Sequence, residues 1–255
     1  TSRRQRQMCI RDRLHNALEE ILSFDDFSAE KIKELAQKHQ ICPYELSLEL
    51  SEFAQIIIAD YNYLFDPCVY IRRLFDEPGK YVFLIDEAHN LIERGRDMFS
   101  SSISKKEIKK VKAELDKSNK LYKRLTKLNT QVNKFLKQEN ELKDIVFAML
   151  SCLESAQEVI TPPSISLFTQ ELVRFSTIYS TLNENFKTFC TEDSVIIQCL
   201  DASPFLEESI SKGNSTILYS ATLSPYEFYK NSILPKIEAF GYSLPYPFDA
   251  QNLLV

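Results

Sequence analysis

The feature that most constrains the fold of this chain is a short apolar run that ends in two carboxylates. Residues 81–85 read Tyr-Val-Phe-Leu-Ile, and Asp86 and Glu87 follow directly. Five apolar or aromatic residues in succession suit a strand that is buried on both faces, as in a parallel sheet. A core would reject two charges, but the carboxyl ends of parallel strands form a rim where ligands bind. The run therefore predicts an α/β fold with a site at that rim.

Further strands are predicted where β-branched residues cluster. These segments are 56–58, 194–200 and 216–222. Between 56–58 and the run at 81–85 we expect a helix over 67–75, because strand, helix and strand in succession are typical of an α/β domain. Ahead of them we expect three short helices, which lie over 15–22, after a cap at Ser28, and over 44–53.

From Ser104 the hydrophobic period changes from that of strands to that of helices. Apolar residues recur at three- and four-residue steps as far as Val146, and again from Phe168 to Phe186 after Pro163. The two blocks predict long helices that pack antiparallel, with a break near Ser118 in the first. An α/β domain is thus expected to be interrupted by helices and then resumed.

Charge is distributed unevenly along the chain. The net charge is −5, yet residues 105–144 contain 13 Lys and Arg against 6 Asp and Glu. This helical segment is a candidate for contact with an anionic partner. A solvated helix surface is the alternative.

Composition excludes several classes of site and location. The chain has four glycines, and no GxxxxGK[ST] loop for cradling phosphates occurs in it. It contains no apolar run of about 18 residues, so we expect no membrane span. Six scattered cysteines without a CxxC pair, in a chain without an apolar signal segment, predict reduced and mostly buried thiols. We expect a cytoplasmic protein of bacterial origin.

The two carboxylates after the apolar run suit nucleotide hydrolysis. Asp86 can hold Mg²⁺, directly or through water, and the metal then bridges nucleotide phosphates. Glu87 alternates away from Asp86 and can orient or deprotonate the attacking water. The alternative is that both acids begin a helix, where the dipole favours negative charge. The complete string LIDEAHN at 84–90 favours the first interpretation.

At this string the chain resembles a known family. DEAH after a hydrophobic strand resembles motif II, the Walker B motif, of superfamily 2 helicases, and DEAHN resembles that of the XPD/DinG branch. SATLSP at 220–225 resembles motif III, and residues 42–67 resemble the segment that carries the last iron–sulfur ligand into helicase domain 1. The resemblance extends over 14–255. It implies a P-loop-type (RecA-like) helicase domain 1 with a parallel sheet, present in part and interrupted by an all-α arch insertion.

The resemblance also implies a division of the chain. Residues 1–13 are expected to be non-native, because they resemble a translated sequencing adapter; a flexible basic arm is the alternative. The remaining parts are 14–55, the end of the iron–sulfur helical lobe; 56–98, helicase domain 1 with motif II; 99–193, the helical arch; 194–233, helicase domain 1 resumed with motif III; and 234–255, which lead into helicase domain 2.

Carried over residue by residue, the resemblance implies roles for the rim. Asp86 matches the acid that coordinates magnesium and nucleotide, Glu87 the catalytic base, and His89 the histidine that couples hydrolysis to movement. Ser220 and Thr222 match the motif III hydroxyls of the nucleotide site. The alternatives are a local hydrogen bond at a helix start for His89, and ordinary strand-end capping for the two hydroxyls.

Cys42 matches one of the four thiolate ligands of a [4Fe–4S] cluster, and it alone of the six cysteines can be assigned to that set. The alternative is a packed, inert thiol.

The function implied is that of an ATP-dependent DNA helicase with ATP, Mg²⁺ and a [4Fe–4S] cluster as cofactors. It would couple hydrolysis to 5′–3′ translocation on single-stranded or forked DNA and to duplex unwinding, as in DNA repair, with no membrane partner. We expect these 255 residues alone to be inactive, because they contain neither Walker A nor helicase domain 2. The alternatives are part of a helicase–nuclease fusion, and an inert nucleic-acid-binding or interaction module.

Overall fold

The computed structural model describes residues 3–156 and 163–244, and the chain divides into two compact units, Thr1–Asp60 and Tyr61–Val255. The first unit contains three helices, α1 (Arg3–Ile21), α2 (Ala29–His39) and α3 (Pro43–Ser51). The helices of the second unit are α4 (Asn62–Phe65), α5 (Arg72–Phe75), α6 (Leu91–Met98), α7 (Lys105–Ala113), α8 (Lys120–Leu136), α9 (Leu142–Ala156), α10 (Pro163–Ser180), α11 (Ser203–Ile210) and α12 (Tyr226–Ile233). Its strands are β1 (Val82–Ile85), β2 (Ser101–Ser104), β3 (Phe186–Cys190), β4 (Ser194–Cys199) and β5 (Ser215–Leu218).

The first unit is a cluster of three helices around a small apolar core. The buried members are Ala17, Leu18, Ile21, Leu35, Ala36 and Leu46. Ser28 caps α2 as the sequence predicts, since its Oγ accepts the backbone N–H of Lys31 at 3.3 Å. Helix α1 begins at Arg3 and so includes most of the first 13 residues; that this segment is non-native stays a prediction.

Two segments predicted as regular structure are not regular. Residues 56–58 belong to no helix or strand, and Ile56 and Ile58 are 81% and 96% exposed. A β-branched run becomes a strand only beside another strand, and no described strand pairs with it. The helix predicted over 67–75 is confined to α5, because the Asp66 carboxylate accepts the backbone N–H of Cys68 at 2.8 Å and forms a turn.

The second unit contains two small sheets. Strands β1 and β5 pair in parallel, with Ile85 opposite Leu218. Strands β2, β4 and β3 form an antiparallel sheet in that spatial order. The strand predicted at 194–200 is therefore confirmed as β4, but it lies in the antiparallel sheet and not beside β1. The parallel sheet resumes at β5.

A helical insertion, which we define as residues 105–180, lies between β1 and β5. The predicted break near Ser118 is confirmed, since α7 ends at Ala113 and α8 begins at Lys120. Its last helix stops at Ser180 and not at Phe186. There the Asn183 side chain accepts the backbone N–H of Asn185 at 2.9 Å, and a side chain that bonds its own backbone competes with the helix. The region between motifs II and III is thus not purely helical, because β2 and β3 flank the helices.

One hydrophobic core runs through the second unit. Its fully buried members in the helical insertion include Ile108, Leu125, Leu128, Val132, Ile145, Met149, Leu172 and Phe175. The same cluster continues through Val195 and Ile197 of β4 to Leu206 of α11 and Ile85 of β1. The fold is therefore an α/β arrangement with a parallel strand pair and a helical insertion that share one core.

Candidate active site

The parallel pairing of β1 and β5 brings two distant parts of the sequence to one edge. The Tyr219 N–H donates to the Ile85 carbonyl at 3.0 Å, and the Ala88 N–H donates back to the Tyr219 carbonyl at 3.1 Å. Both strands therefore end at the same edge, and their backbones remain hydrogen-bonded at Tyr219, one residue beyond β5, and at Ala88, three residues beyond β1. The residues that follow β1 thus lie beside those that follow β5.

A connected set of polar side chains forms at this edge. The Nδ1 atom of His89 lies 2.7 Å from Ser220 Oγ and 3.1 Å from Glu87 Oε2. The Ser220 hydroxyl donates to Glu87 Oε2 at 3.2 Å. Because an ionised carboxylate only accepts hydrogen bonds, the arrangement is consistent with a proton on His89 Nδ1. His89 and Ser220 thus both hold one oxygen of Glu87.

Thr222 extends this set along the chain. Its backbone N–H donates to Ser220 Oγ at 3.3 Å, and its hydroxyl lies 3.3 Å from the same oxygen. The Ser220 oxygen is therefore the common centre of the set. Strand-end capping explains the Thr222 N–H bond, but it does not explain the contacts across 131 and 133 residues of sequence to His89 and Glu87.

Glu87 has an unusual backbone conformation. Its φ is 48°, in the left-handed region, which costs a residue with a Cβ roughly 1–2 kcal/mol per residue. The Glu87 N–H donates to Asp86 Oδ1 at 2.7 Å, and the short 3₁₀ turn Ala88–Asn90 follows. Such conformations persist where the surroundings impose them, and they cluster at functional sites. Here the sharp turn separates the two carboxylates, so that Glu87 contacts Ser220 while Asp86 contacts the Glu87 N–H.

Asp86 is suited to a metal ion that is bound mostly by nucleotide phosphates and water. Its side chain is exposed, and only Oδ1 is used within the described residues, by the Glu87 N–H. No group of three or more potential metal ligands occurs among the described residues. Mg²⁺ at nucleotide sites commonly takes one or two carboxylates and completes its shell with phosphates and water. A single Asp86 oxygen therefore fits Mg²⁺ held together with a nucleotide.

Cys42 belongs to the first unit, where it is the residue before α3. It is exposed, so the alternative of a packed thiol is wrong. Burial raises the pKa of Cys152 to about 12 and that of Cys199 to about 11, as expected for inert thiols, whereas Cys190 is exposed. The described residues do not form a four-thiolate set, so they do not by themselves fit a [4Fe–4S] cluster. Cys9 lies outside the described side chains.

An ion pair that was not predicted joins Asp66, the residue after α4, to helix α10 of the helical insertion. Asp66 is 4% exposed, and Arg174 of α10 donates to both of its oxygens, at 3.1 and 2.7 Å for Oδ2 and 3.2 Å for Oδ1. Arg174 also donates to the Met98 carbonyl at 3.3 Å. The available signal was that Arg174 is the one basic residue of α10. A lone cation in an apolar helix predicts a buried partner.

Comparisons with known proteins identify similar sequences. The DEAD_2 family model matches residues 1–108, which include β1 and the DEAH string. The helicase subunit XPD of general transcription and DNA repair factor IIH from Dictyostelium discoideum is 36% identical over 126 residues, covering 49% of this chain and 15% of the relative. The Fanconi anemia group J protein homolog from Gallus gallus is 32% identical over 94 residues, covering 37% and 7%. The regulator of telomere elongation helicase 1 from Homo sapiens is 37% identical over 75 residues, covering 29% and 6%.

A solved structure with the name XPD helicase has a similar fold. It superposes with a TM-score of 0.55 at 20% identity, over 82% of this chain and 40% of that one. The chain spans at most 15% of the length of the curated relatives named above, all of which are eukaryotic. They give no support to the expected bacterial origin. Among the described residues, no helix is both long and apolar enough to cross a bilayer. The division into domains stays a prediction.

Proposed function

We propose that this chain forms part of the ATP-hydrolysing domain of a DNA helicase of the XPD/DinG-like branch of superfamily 2, because the DEAD_2 model matches residues 1–108 and the curated relatives that it resembles are helicases. The observation that carries the proposal is the set of Glu87, His89 and Ser220 at the ends of β1 and β5. In this set the Glu87 carboxylate is oriented by His89 and by the hydroxyl of Ser220, which follows β5. Such an arrangement suits a catalytic base whose position depends on the segment after β5.

In this proposal the two carboxylates have separate tasks. Asp86 would hold Mg²⁺ through its exposed carboxylate, and the ion would supply positive charge beside the nucleotide phosphates. Glu87 orients the attacking water and accepts its proton. The left-handed backbone at Glu87 turns its side chain toward Ser220, so the base and the metal ligand do not compete for one position.

Ser220 and His89 are positioning residues, and Thr222 supports Ser220. Since Ser220 follows β5 and Glu87 follows β1, a displacement of β5 would alter the orientation of the base. DNA binding that displaced β5 would in this way change the orientation of Glu87, and with it the rate of ATP hydrolysis. We propose that the coupled movement is 5′–3′ translocation on single-stranded or forked DNA with duplex unwinding, by the resemblance set out above.

A substitution at Glu87 tests the proposal in the full-length protein. Glu87→Gln preserves the shape of the side chain and removes the base, so ATP hydrolysis should fall about 10²–10⁴-fold while ATP binding is retained. Glu93→Gln is the matched control, because Glu93 is an exposed acid of α6 outside the hydrogen-bonded set. Phosphate release with and without single-stranded DNA is the measurement. Near wild-type hydrolysis by Glu87→Gln would refute the assigned role.

The same preparation separates the alternatives. A helicase–nuclease fusion would also degrade labelled DNA with Mg²⁺, and the degradation would survive Glu87→Gln. An inert binding module would bind DNA without any ATP hydrolysis in the wild-type protein. The 255 residues alone, which contain no GxxxxGK[ST] loop, should release no phosphate, because that loop supplies the backbone N–H groups and lysine that bind phosphates.

Cys42 is proposed as one thiolate of a [4Fe–4S] cluster whose other ligands are not among the described residues. Its exposure at the residue before α3 leaves the sulfur accessible to a ligand. The full-length protein, purified without oxygen, should contain about four irons if the cluster forms. Cys42→Ser should lose iron, whereas Cys190→Ser, at another exposed cysteine, should retain it. Equal iron in the two variants would remove Cys42 from the ligand set.

A further inference from the structure

Three of the many basic residues in the helical insertion line a groove at its surface. It lies where α7, the following loop and the start of α8 meet, and its volume is about 310 Å³. Its lining residues are Lys109, Lys112, Ala113, Leu115, Lys117 and Tyr122. We call it the lysine groove. Beneath it α7 and α8 are fixed to the core by the buried side chains of Ile108, Val111, Leu121 and Leu125, so the groove has a rigid floor.

The three ammonium groups of the groove are not neutralised locally. Within the described part of the chain, none of Lys109, Lys112 and Lys117 forms an ion pair with a carboxylate. Among these described residues, the nearby acids Glu107, Glu114 and Asp116 form no ion pair with them. Glu114 accepts the Ser164 hydroxyl, and Asp116 accepts the Ser118 backbone N–H at 2.8 Å and its hydroxyl at 2.7 Å. Three neighbouring positive charges repel one another, and an anion would relieve that repulsion.

Tyr122 positions one of these charges. The Lys112 Nζ atom lies 4.8 Å from the centre of the Tyr122 ring, within the range of a cation–π contact. A helix C-terminus also favours Lys112, which is in the last turn of α7. That effect does not explain Lys117 in the loop or Lys109 one turn earlier. The groove thus combines one oriented ammonium group with two exposed ones.

We propose that the lysine groove binds the phosphate backbone of single-stranded nucleic acid. Phosphates are the anions that a row of lysines binds without sequence preference. The volume is near the lower end of the roughly 300–1,000 Å³ typical of ligand pockets, and the groove is open at the surface. An open site suits a polymer that passes across it better than a small anion that must be enclosed. The choice of nucleic acid over other polyanions rests on the proposed function. The charge and the shape of the groove are observed independently of that function.

The test compares two sets of lysines in the full-length protein. One variant carries Lys109→Gln, Lys112→Gln and Lys117→Gln. The control carries Lys127→Gln, Lys134→Gln and Lys137→Gln, which removes the same charge from exposed positions of α8 and its C-terminal end, outside the groove. Fluorescence anisotropy of a labelled oligothymidine is measured without nucleotide across a series of salt concentrations. Circular dichroism establishes that both variants are folded.

Each lysine–phosphate contact contributes about 0.7 to the slope of log affinity against log salt for single strands, so the groove variant should lose about 2 units of slope. Its affinity at low salt should fall at least about tenfold, and the control should lose less than half as much slope. Tyr122→Leu should weaken binding about two- to fivefold, through the loss of the contact with Lys112. Equal losses in the two triple variants would overturn the proposal, because they would indicate a diffuse field without a discrete site.

Two further outcomes have defined meanings. If polyglutamate of matched charge displaces the oligonucleotide as well as unlabelled DNA does, the groove binds acidic protein surfaces and the nucleic-acid assignment is wrong. ATP hydrolysis measured on the same wild-type protein separates this inference from the proposed function. Absent hydrolysis with a groove-dependent slope refutes the proposed function alone. DNA-stimulated hydrolysis with an unchanged slope refutes the groove alone.

Discussion

The helical insertion and the β1–β5 strand pair differ in how well their apolar side chains are buried. Leu125 and Met149 in the insertion are fully buried, whereas Val82 and Leu84 of β1 and Ile217 of β5 are 60%, 64% and 56% exposed. Complete burial of such a side chain is worth about 1.5–3 kcal/mol. The candidate active-site residues follow the exposed strand pair, and none lies in the insertion. The better buried of the two regions is therefore not the one that contains the candidate active site.

The largest expected effect tests this difference directly. Leu125→Ala in α8 should lower the free energy of opening by about 2–5 kcal/mol, because it leaves a cavity in a fully packed core. Leu84→Ala in β1 should lower it by less than about 0.5 kcal/mol, because that side chain is already largely in water. Native-state hydrogen exchange of the 255-residue chain, on which these exposures are defined, measures both. Equal losses would show that the strand pair is as well buried as the insertion.

The second prediction concerns the link between the two regions, the Asp66–Arg174 ion pair. Arg174→Leu leaves the buried Asp66 carboxylate without its partner, which costs about 3–5 kcal/mol for a fully buried pair. Because the Arg174 side chain is 30% exposed, we expect the low end of that range. The double variant Asp66→Asn, Arg174→Leu should lose less, since it removes the charge as well. Hydrogen exchange in α4 and α10 is the measurement, and a double variant worse than Arg174→Leu would contradict the explanation.

A smaller effect of opposite sign is expected at Glu171 in α10. Partial burial and the negative charge of Glu107 raise the pKa of the Glu171 carboxyl above its ordinary value. A raised folded-state pKa contributes stability that is present below the unfolded pKa and lost as pH rises through the folded pKa. Glu171→Gln should therefore stabilise the insertion at pH 7, by less than about 0.5 kcal/mol after solvent screening. Melting temperatures between pH 4 and 7 should show a flatter profile than wild type; a loss of stability at pH 7 would be inconsistent with the raised pKa.

The smallest expected effect lies at the boundary between the two regions. Lys106 and Asp193 form an ion pair at 2.8 Å between the residues that follow β2 and those that precede β4, and the Lys106 side chain is 86% exposed. Exposed pairs gain little and are screened by salt. Lys106→Ala should not change the melting temperature measurably at 0.15 M salt. A clear decrease would mean that the boundary depends on this side chain, and not only on the backbone pairing of β2 with β4.

The sequence predicted local features well and long-range partners less well. The strand at 81–85 and the break after α7 follow from hydrophobic period, although β1 is not buried on both faces as its composition predicts. The shared site of Glu87 and Ser220 was implied by the family resemblance. The partnership of Asp66 with Arg174 spans 108 residues and could not be inferred from either residue's neighbours. Residues 56–58 mislead for a related reason. A strand depends on a partner, and β-branched composition does not reveal whether one is available.

The pairing of β2 with β4 has a consequence for how this molecule can change over evolutionary time. Ser104 lies opposite Ser194, and the Lys105 N–H donates to the Asp193 carbonyl at 2.9 Å, so the chain leaves and returns at neighbouring points. Paired residues of antiparallel strands have Cα atoms about 4.5–5.5 Å apart, a gap that a tight turn can bridge. The excursion between them can therefore change in length with little effect on the ends of β1 and β5, as long as its share of the common core and the Asp66–Arg174 pair are kept. One candidate active-site edge can in this way be combined with different surfaces in related proteins.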